Sequence, residues 1–203
     1  YSTSALESKL EKNGRGKVYG FEMMLEKSTG KTTGWISYTW SKNIRQFDNM
    51  NGGQEYPFKY DRRHNISLIV NHEFSKHVQL TASWVYSTGN ALTLSQGYYD
   101  QIDIVNSGIN DSIMYNLGQA QIYTAKNGYR MPAYHRLDVS IQFIKEMSKG
   151  ERIWSFSIYN VYNQMNPFYL FYDKNDQGAM TLHQLTVFPF IPAFNYQFRF
   201  KKT

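Results

Sequence analysis

The sequence predicts an all-β fold: a transmembrane, antiparallel, up-and-down β-barrel segment of about seven strands, part of a larger barrel. Three observations carry this expectation. Apolar residues recur at every second position over long stretches, as in strands with one face in an apolar medium and the other in water. The short turns have the parity that keeps those apolar sets on one face. Connections alternate between tight and long, as in outer-membrane barrels with short turns at one end and elaborate loops at the other.

The clearest stretch is Asp61–Asn90. Ile66, Leu68, Val70 and Phe74 lead in, and Val78, Leu80, Ala82, Trp84 and Tyr86 lead out, all at even positions with only His72 interrupting. Odd positions carry Asn65, Ser67, Asn71 and Glu73, then Gln79, Thr81, Ser83 and Ser87. Pairing Phe74 with Val78 across Ser75-Lys76-His77 keeps both even sets on one face.

In chain order, residues 1–15 are polar, and Ser4 with Glu7 and Gly14 suggests a short capped helix. From Gly16 the period becomes two. Tyr19, Phe21, Met23 and Leu25 share the odd face, and after a Thr29-Gly30 turn Ile36, Tyr38 and Trp40 share the even one. That even loop pairs Tyr19 with Trp40, Phe21 with Tyr38 and Met23 with Ile36. Residues 43–60 read as a long polar loop, and 89–131 as a longer connection with little sustained alternation. After Pro132 a third hairpin begins. A turn near Met147–Gly150 pairs Phe143 with Trp154, Ile141 with Phe156 and Val139 with Ile158. Its rising strand is expected to continue to about Asp173, with a polar loop at 174–180 and a last strand from about Thr181 to the end.

Composition bounds the function. Aromatics make up 17% of the 203 residues, with Tyr 17 and Phe 13, while mean hydropathy is −0.56. No apolar run approaches the ~18 residues of a membrane helix, which excludes helical spans only. There is no cysteine, hence neither a disulfide framework nor a thiolate metal site. The net charge of +6 is spread along the chain rather than clustered, so no nucleic-acid footprint is expected. Two media compete for the apolar face: a second sheet, as in a soluble carbohydrate-binding sandwich, or lipid. Trp40, Tyr38, Trp84 and Tyr86 lie toward the long-loop ends of their strands, and Trp154 and Phe74 nearer the short turns. End-loaded aromatics favour lipid with two interfacial girdles. Single-chain bacterial barrels have even strand numbers, so seven strands point to a C-terminal piece of something larger. The competing expectation is a small self-contained outer-membrane barrel with an adhesive or structural role. The start at Tyr1, without signal peptide, suits a piece or a processed chain.

Stretches GRGKVYGFEMMLEK (14–27), TGWISYTWSK (33–42), YDRRHN (60–65), WVYSTGNALTL (84–94), YRMPAYHRLDVSI (129–141), YNVYNQMNP (159–167) and FPFIPAFNYQFRF (188–200) follow one another in this order. Together they resemble the C-terminal part of TonB-dependent outer-membrane receptors of the Bacteroidetes type. The resemblance implies a 22-stranded barrel occluded by an N-terminal plug, in a bacterial outer membrane, importing a scarce nutrient. It implies outer-membrane lipid, the rest of the barrel and plug, and TonB as partners. A surface lipoprotein lid, as in related glycan importers, is compatible with it. The whole of 1–203 would then be barrel wall and loops, with the plug and the TonB-contacting segment elsewhere. In the closing strand Phe198 and Phe200 keep the family's aromatic pair, while Asn195 stands where a Gly is usual.

Candidate chemistry is sparse. Arg62, Arg63 and His64 could form an anion site at the outer mouth, or Asp61 could simply make a rim salt bridge with an Arg. The five histidines have no metal-ligand spacing, and no nucleophile-elbow context is present, so catalytic residues, metals and cofactors are not expected. In the 89–131 connection Tyr98, Tyr99, Asp100, Asp103, Asn106, Asn110, Asp111 and Tyr115 mix aromatics with short polar groups, suited to stacking on a sugar or peptide. Asn160, Asn163 and Asn166 resemble a family feature of the upper wall, expected to hydrogen-bond with the plug.

Overall fold

The structure, a computed structural model, describes residues 13–95, 97–106, 113–123 and 125–201. The helix expected near the start falls mainly on residues 1–12, outside the described ones. The first long strands are β1 (Arg15–Lys27) and β2 (Thr32–Gln46), followed by the short β3 (Tyr56–Pro57), then β4 (His64–Ser75) and β5 (Val78–Ser87). The next connection contains β6 (Ala91–Leu92), β7 (Gly97–Asn106), β8 (Ile113–Ile122) and β9 (Tyr129–Arg130). The chain then forms β10 (Tyr134–Met147), β11 (Gly150–Tyr159), β12 (Pro167–Lys174), β13 (Met180–Thr186) and β14 (Ile191–Phe200).

Seven long strands pair in chain order, β1-β2-β4-β5-β10-β11-β14, with β3 added beside β2. From β2 to β14 the neighbouring strands pair antiparallel. The alternation places matching residues opposite one another, so apolar rows cross strand after strand. One row runs Leu80–Ile141–Phe156–Phe194, another Val78–Phe143–Trp154–Tyr196, and a third Ile36–Leu68–Trp84–Leu137. Ring contacts knit them laterally: Trp154 lies 4.6 Å from Tyr196 and 5.2 Å from Phe194, and Phe156 lies 5.0 Å from Phe194. Each such pair is worth about 0.5–1.5 kcal/mol beyond area burial. Between Phe143 and Ile158 every expected pairing of the third hairpin is present. In the first hairpin the Tyr19 and Trp40 rings lie 5.9 Å apart.

The rows are not covered. Among the described residues only Tyr56, Ala91 and Ile153 are buried apolar side chains. Phe194, Tyr196, Phe156 and Phe143 remain 42–56% exposed despite their contacts.

Four expectations are corrected. The central hairpin turns through two residues, Lys76-His77, with Ser75 opposite Val78 and Phe74 bulged out. The Ser75 hydroxyl accepts from the amides of His77 and Val78 at 3.2 and 3.1 Å, which closes the turn one residue early. The bulge absorbs the extra residue, so His72 still faces Leu80 and the parity survives. Second, the strand expected through Asp173 breaks after Tyr159. Asn160 and Asn163 adopt left-handed φ of 55° and 50°, a conformation asparagine tolerates best among residues with a side chain. Third, the strand expected from Thr181 onward breaks at 187–190, where Phe188 has φ 62°. The segment between the breaks folds back as its own hairpin, β12 on β13. Fourth, the 89–131 connection contains two strand pairs, β6–β9 and β7–β8. Alternation there is confined to the short runs 101–104 and 119–122, blurred on either side by Tyr, Asn and Gly residues.

The chain divides into two compact units interleaved in sequence. One comprises Tyr1–Val18, Asn43–Asp61 and Asn90–Arg130; the other comprises Tyr19–Lys42, Arg62–Gly89 and Met131–Thr203.

Candidate functional site

Within the first unit, Asp61, the second residue of the YDRRHN segment, is 1% exposed. Its carboxylate accepts from Arg130 Nη2 at 2.6 Å and from the Asn43 amide at 2.7 Å, and Arg130 also donates to the Asp61 carbonyl. The partner left open in the sequence is therefore an arginine from β9, 69 residues away, and the pair is buried at its acidic end. This corrects the expected exposed rim salt bridge, since Arg130 follows a loop whose length gives no hint of contact.

In the second unit, Arg62 and His64 are engaged separately. Arg62 Nη1 donates to Ser87 Oγ at 3.2 Å. His64 Nδ1 and the Tyr38 hydroxyl lie 2.9 Å apart with the rings stacked, and the His64 amide donates to Thr88 Oγ1 at 2.7 Å. The carbonyls of Arg62 and Arg63 accept from Ser41 Oγ and the Ser41 amide, both at 3.1 Å. These contacts tie the strand start to β2 and β5.

Of the expected loop site, Tyr99 lies on β7 and is 54% exposed. The backbone pairs Tyr98 with Gln121, Asp100 with Gln119, Asp103 with Asn116 and Tyr115 with Ile104. The side chains of these four are outside what is described, as are residues Asn110 and Asp111 altogether.

Two arrangements were not foreseen. On β10, Arg136 donates to Asp138 and Tyr134 at 2.9 Å and to the Tyr159 hydroxyl, and its Cζ lies 4.1 Å above the Tyr159 ring. Asp138 also accepts from the Asn160 amide at 2.9 Å. Thr81, Ser83, Asp138, Ser140, Ser157 and Tyr159 border an open concavity of about 220 Å³ on this polar face. Alternation showed Arg136 and Asp138 sharing a parity, but the stacking on Tyr159 depends on the β10–β11 register. The second arrangement is the asparagine set. Asn160, 0% exposed, donates to the carbonyls of Gln164 and Phe188 at 3.0 and 3.2 Å and accepts from the Gln164 amide at 2.9 Å. Asn166 accepts from the His135 amide and donates to its carbonyl, imitating a strand partner, and Asn163 accepts from the Phe190 amide. All three asparagines bond the chain's own backbone around the break after β11. A buried turn must satisfy its own amides and carbonyls.

Among the described residues no helix is long and apolar enough to cross a membrane, which bears on helical spans alone. No protein-family model matches the chain, and neither a curated protein nor a solved structure matches it.

Proposed function

We propose that the chain is the C-terminal part of the wall of a TonB-dependent outer-membrane importer. In this reading its strands face lipid on one side, and its long connections help form the outer mouth. The observation that carries the proposal is the continuous apolar face, built of six strands in register and left uncovered among the described residues. A soluble sandwich would bury that face against a second sheet, and exposed apolar patches of such extent are otherwise aggregation hazards. The opposite face carries Arg136, Asp138, Thr81 and Asn71 in hydrogen bonds, as a wet lumen requires. Among the described residues β1 and β14 each have one neighbour in the sheet, leaving two edges for further strands of the same barrel. The plug, and the segment that TonB would pull, belong to other parts of the receptor. The role of these residues is then containment and recognition, with no chemical step.

The chain has no cysteine, so single cysteines report without interference. In membranes, cysteine at Leu68 or Ala82 should resist a water-soluble maleimide, whereas cysteine at Ser67 or Thr81 should react after the lumen is opened to solvent. Equal labelling of both sets would rule out a lipid-facing wall.

A further inference from the structure

At the end of β2 the side chains of Arg45, Phe47, Phe58, Lys59, Lys126 and Asn127 border a concavity of about 370 Å³, all within the first unit. Three of these residues are cationic and none is acidic. Among the described residues no carboxylate pairs with Arg45, Lys59 or Lys126, and two nearby acids are engaged elsewhere. Glu55 pairs with Lys17 at 2.7 Å and Asp61 with Arg130 at 2.6 Å. Like charges gathered around one hollow repel each other, and an anion placed between them relieves that repulsion.

The arrangement is held in place. The Arg45 guanidinium lies 4.6 Å over the Phe58 ring, and its Nε is shielded from solvent without a hydrogen-bond partner. Glycines opposite make room: a Cβ at Gly16 would sit 2.8 Å from Arg45 Nη1, and one at Gly14 would sit 2.2 Å from the Phe47 ring. Lys126 is presented by a turn whose own amide donates to Asn51 Oδ1 at 2.9 Å. Its neighbour Asn127, at φ 52°, donates from Nδ2 to the Pro57 carbonyl at 2.9 Å and from its amide to Thr93 Oγ1 at 2.9 Å. Two connections distant in sequence are thereby pinned so that Lys59 and Lys126 border the same hollow.

We infer that this hollow is a binding site for a small ligand with two or more negative charges and one flat apolar face. The cations take the charges, and Phe47 and Phe58 take the face. A guanidinium already stacked on a ring loses little freedom when it grips a carboxylate or phosphate, which favours Arg45 as the anchor. The inference stands on these contacts and does not need the membrane reading.

The test is calorimetric titration of the full chain in detergent with three probes: benzene-1,3,5-tricarboxylate, citrate, and the neutral benzene-1,3,5-tricarboxamide. The tricarboxylate should bind with unit stoichiometry, more weakly as salt rises. Citrate, which has the charge without the ring, should bind several-fold more weakly, and the tricarboxamide not measurably. Lys59 and Lys126 are exposed, so Lys59→Gln and Lys126→Gln leave the fold intact and should each weaken binding about fivefold. Arg45→Gln should weaken it about tenfold or more. Absence of tricarboxylate binding would overturn the site, as would equal binding of the tricarboxamide. So would unchanged affinity in the Lys59→Gln/Lys126→Gln double variant.

Discussion

At the scale of single residues, Asp61 shows how position alters the worth of an interaction. Treated as an exposed ion pair it would contribute about 0–1 kcal/mol. Seated at 1% exposure with Arg130 and the Asn43 amide, it becomes a charge that cannot lose its partner cheaply. Removing one member of a fully buried pair costs about 3–5 kcal/mol. The Arg130 side chain is 31% exposed, so Arg130→Met should cost about 2–3 kcal/mol, still more than the Asp61→Asn/Arg130→Met double variant. The urea midpoint of the folded band on unheated gels measures this. An Arg130→Met variant as stable as the parent would mean that water already serves Asp61. The asparagines carry a related lesson. Their spacing is visible in the sequence, but which backbone groups they satisfy depends on a left-handed turn that a strand pattern conceals.

The elements were the most legible part of the molecule. Period-two alternation located the seven long strands, and turn parity set the pairings of the third hairpin residue by residue. Where details differed, a side chain was responsible, as at Ser75, whose hydroxyl closes the turn and throws Phe74 into a bulge. Between β2 and β4 the register depends on a glycine. Gly34, with φ 154°, sits opposite Val70, and a Cβ there would lie 2.1 Å from the Ile69 carbonyl oxygen. Gly34→Val should therefore part these strands and abolish the folded form, while Gly30→Asn, at the turn with φ 92°, should be tolerated within about 1 kcal/mol. Proteolysis of the refolded variants distinguishes them. A protease-resistant Gly34→Val protein would show that the sheet can shift to admit a side chain.

For the whole molecule, the governing feature is an ordered sheet with two unlike faces and, among the described residues, almost no covered core. On the proposed reading lipid supplies what a core would. An arginine at Leu68, in the apolar row between Ile36 and Trp84, should then cost about 2–4 kcal/mol in a bilayer, while an arginine at its neighbour Ser67 should cost less than about 1 kcal/mol. Folding titrations into phosphatidylcholine vesicles compare the two. Equal costs would place both positions in the same medium and defeat the reading.

The amino-acid sequence by itself located the seven strands of the large sheet, their order and which side of each is apolar, because alternation and turn parity are local and need only neighbouring residues. Only the tertiary structure decided that Arg130 neutralises Asp61, that the strand after Tyr159 stops, and that Arg45, Lys59 and Lys126 share one hollow. Those outcomes join segments tens of residues apart through loops whose sequences carry no period, so nothing local encodes where their ends meet.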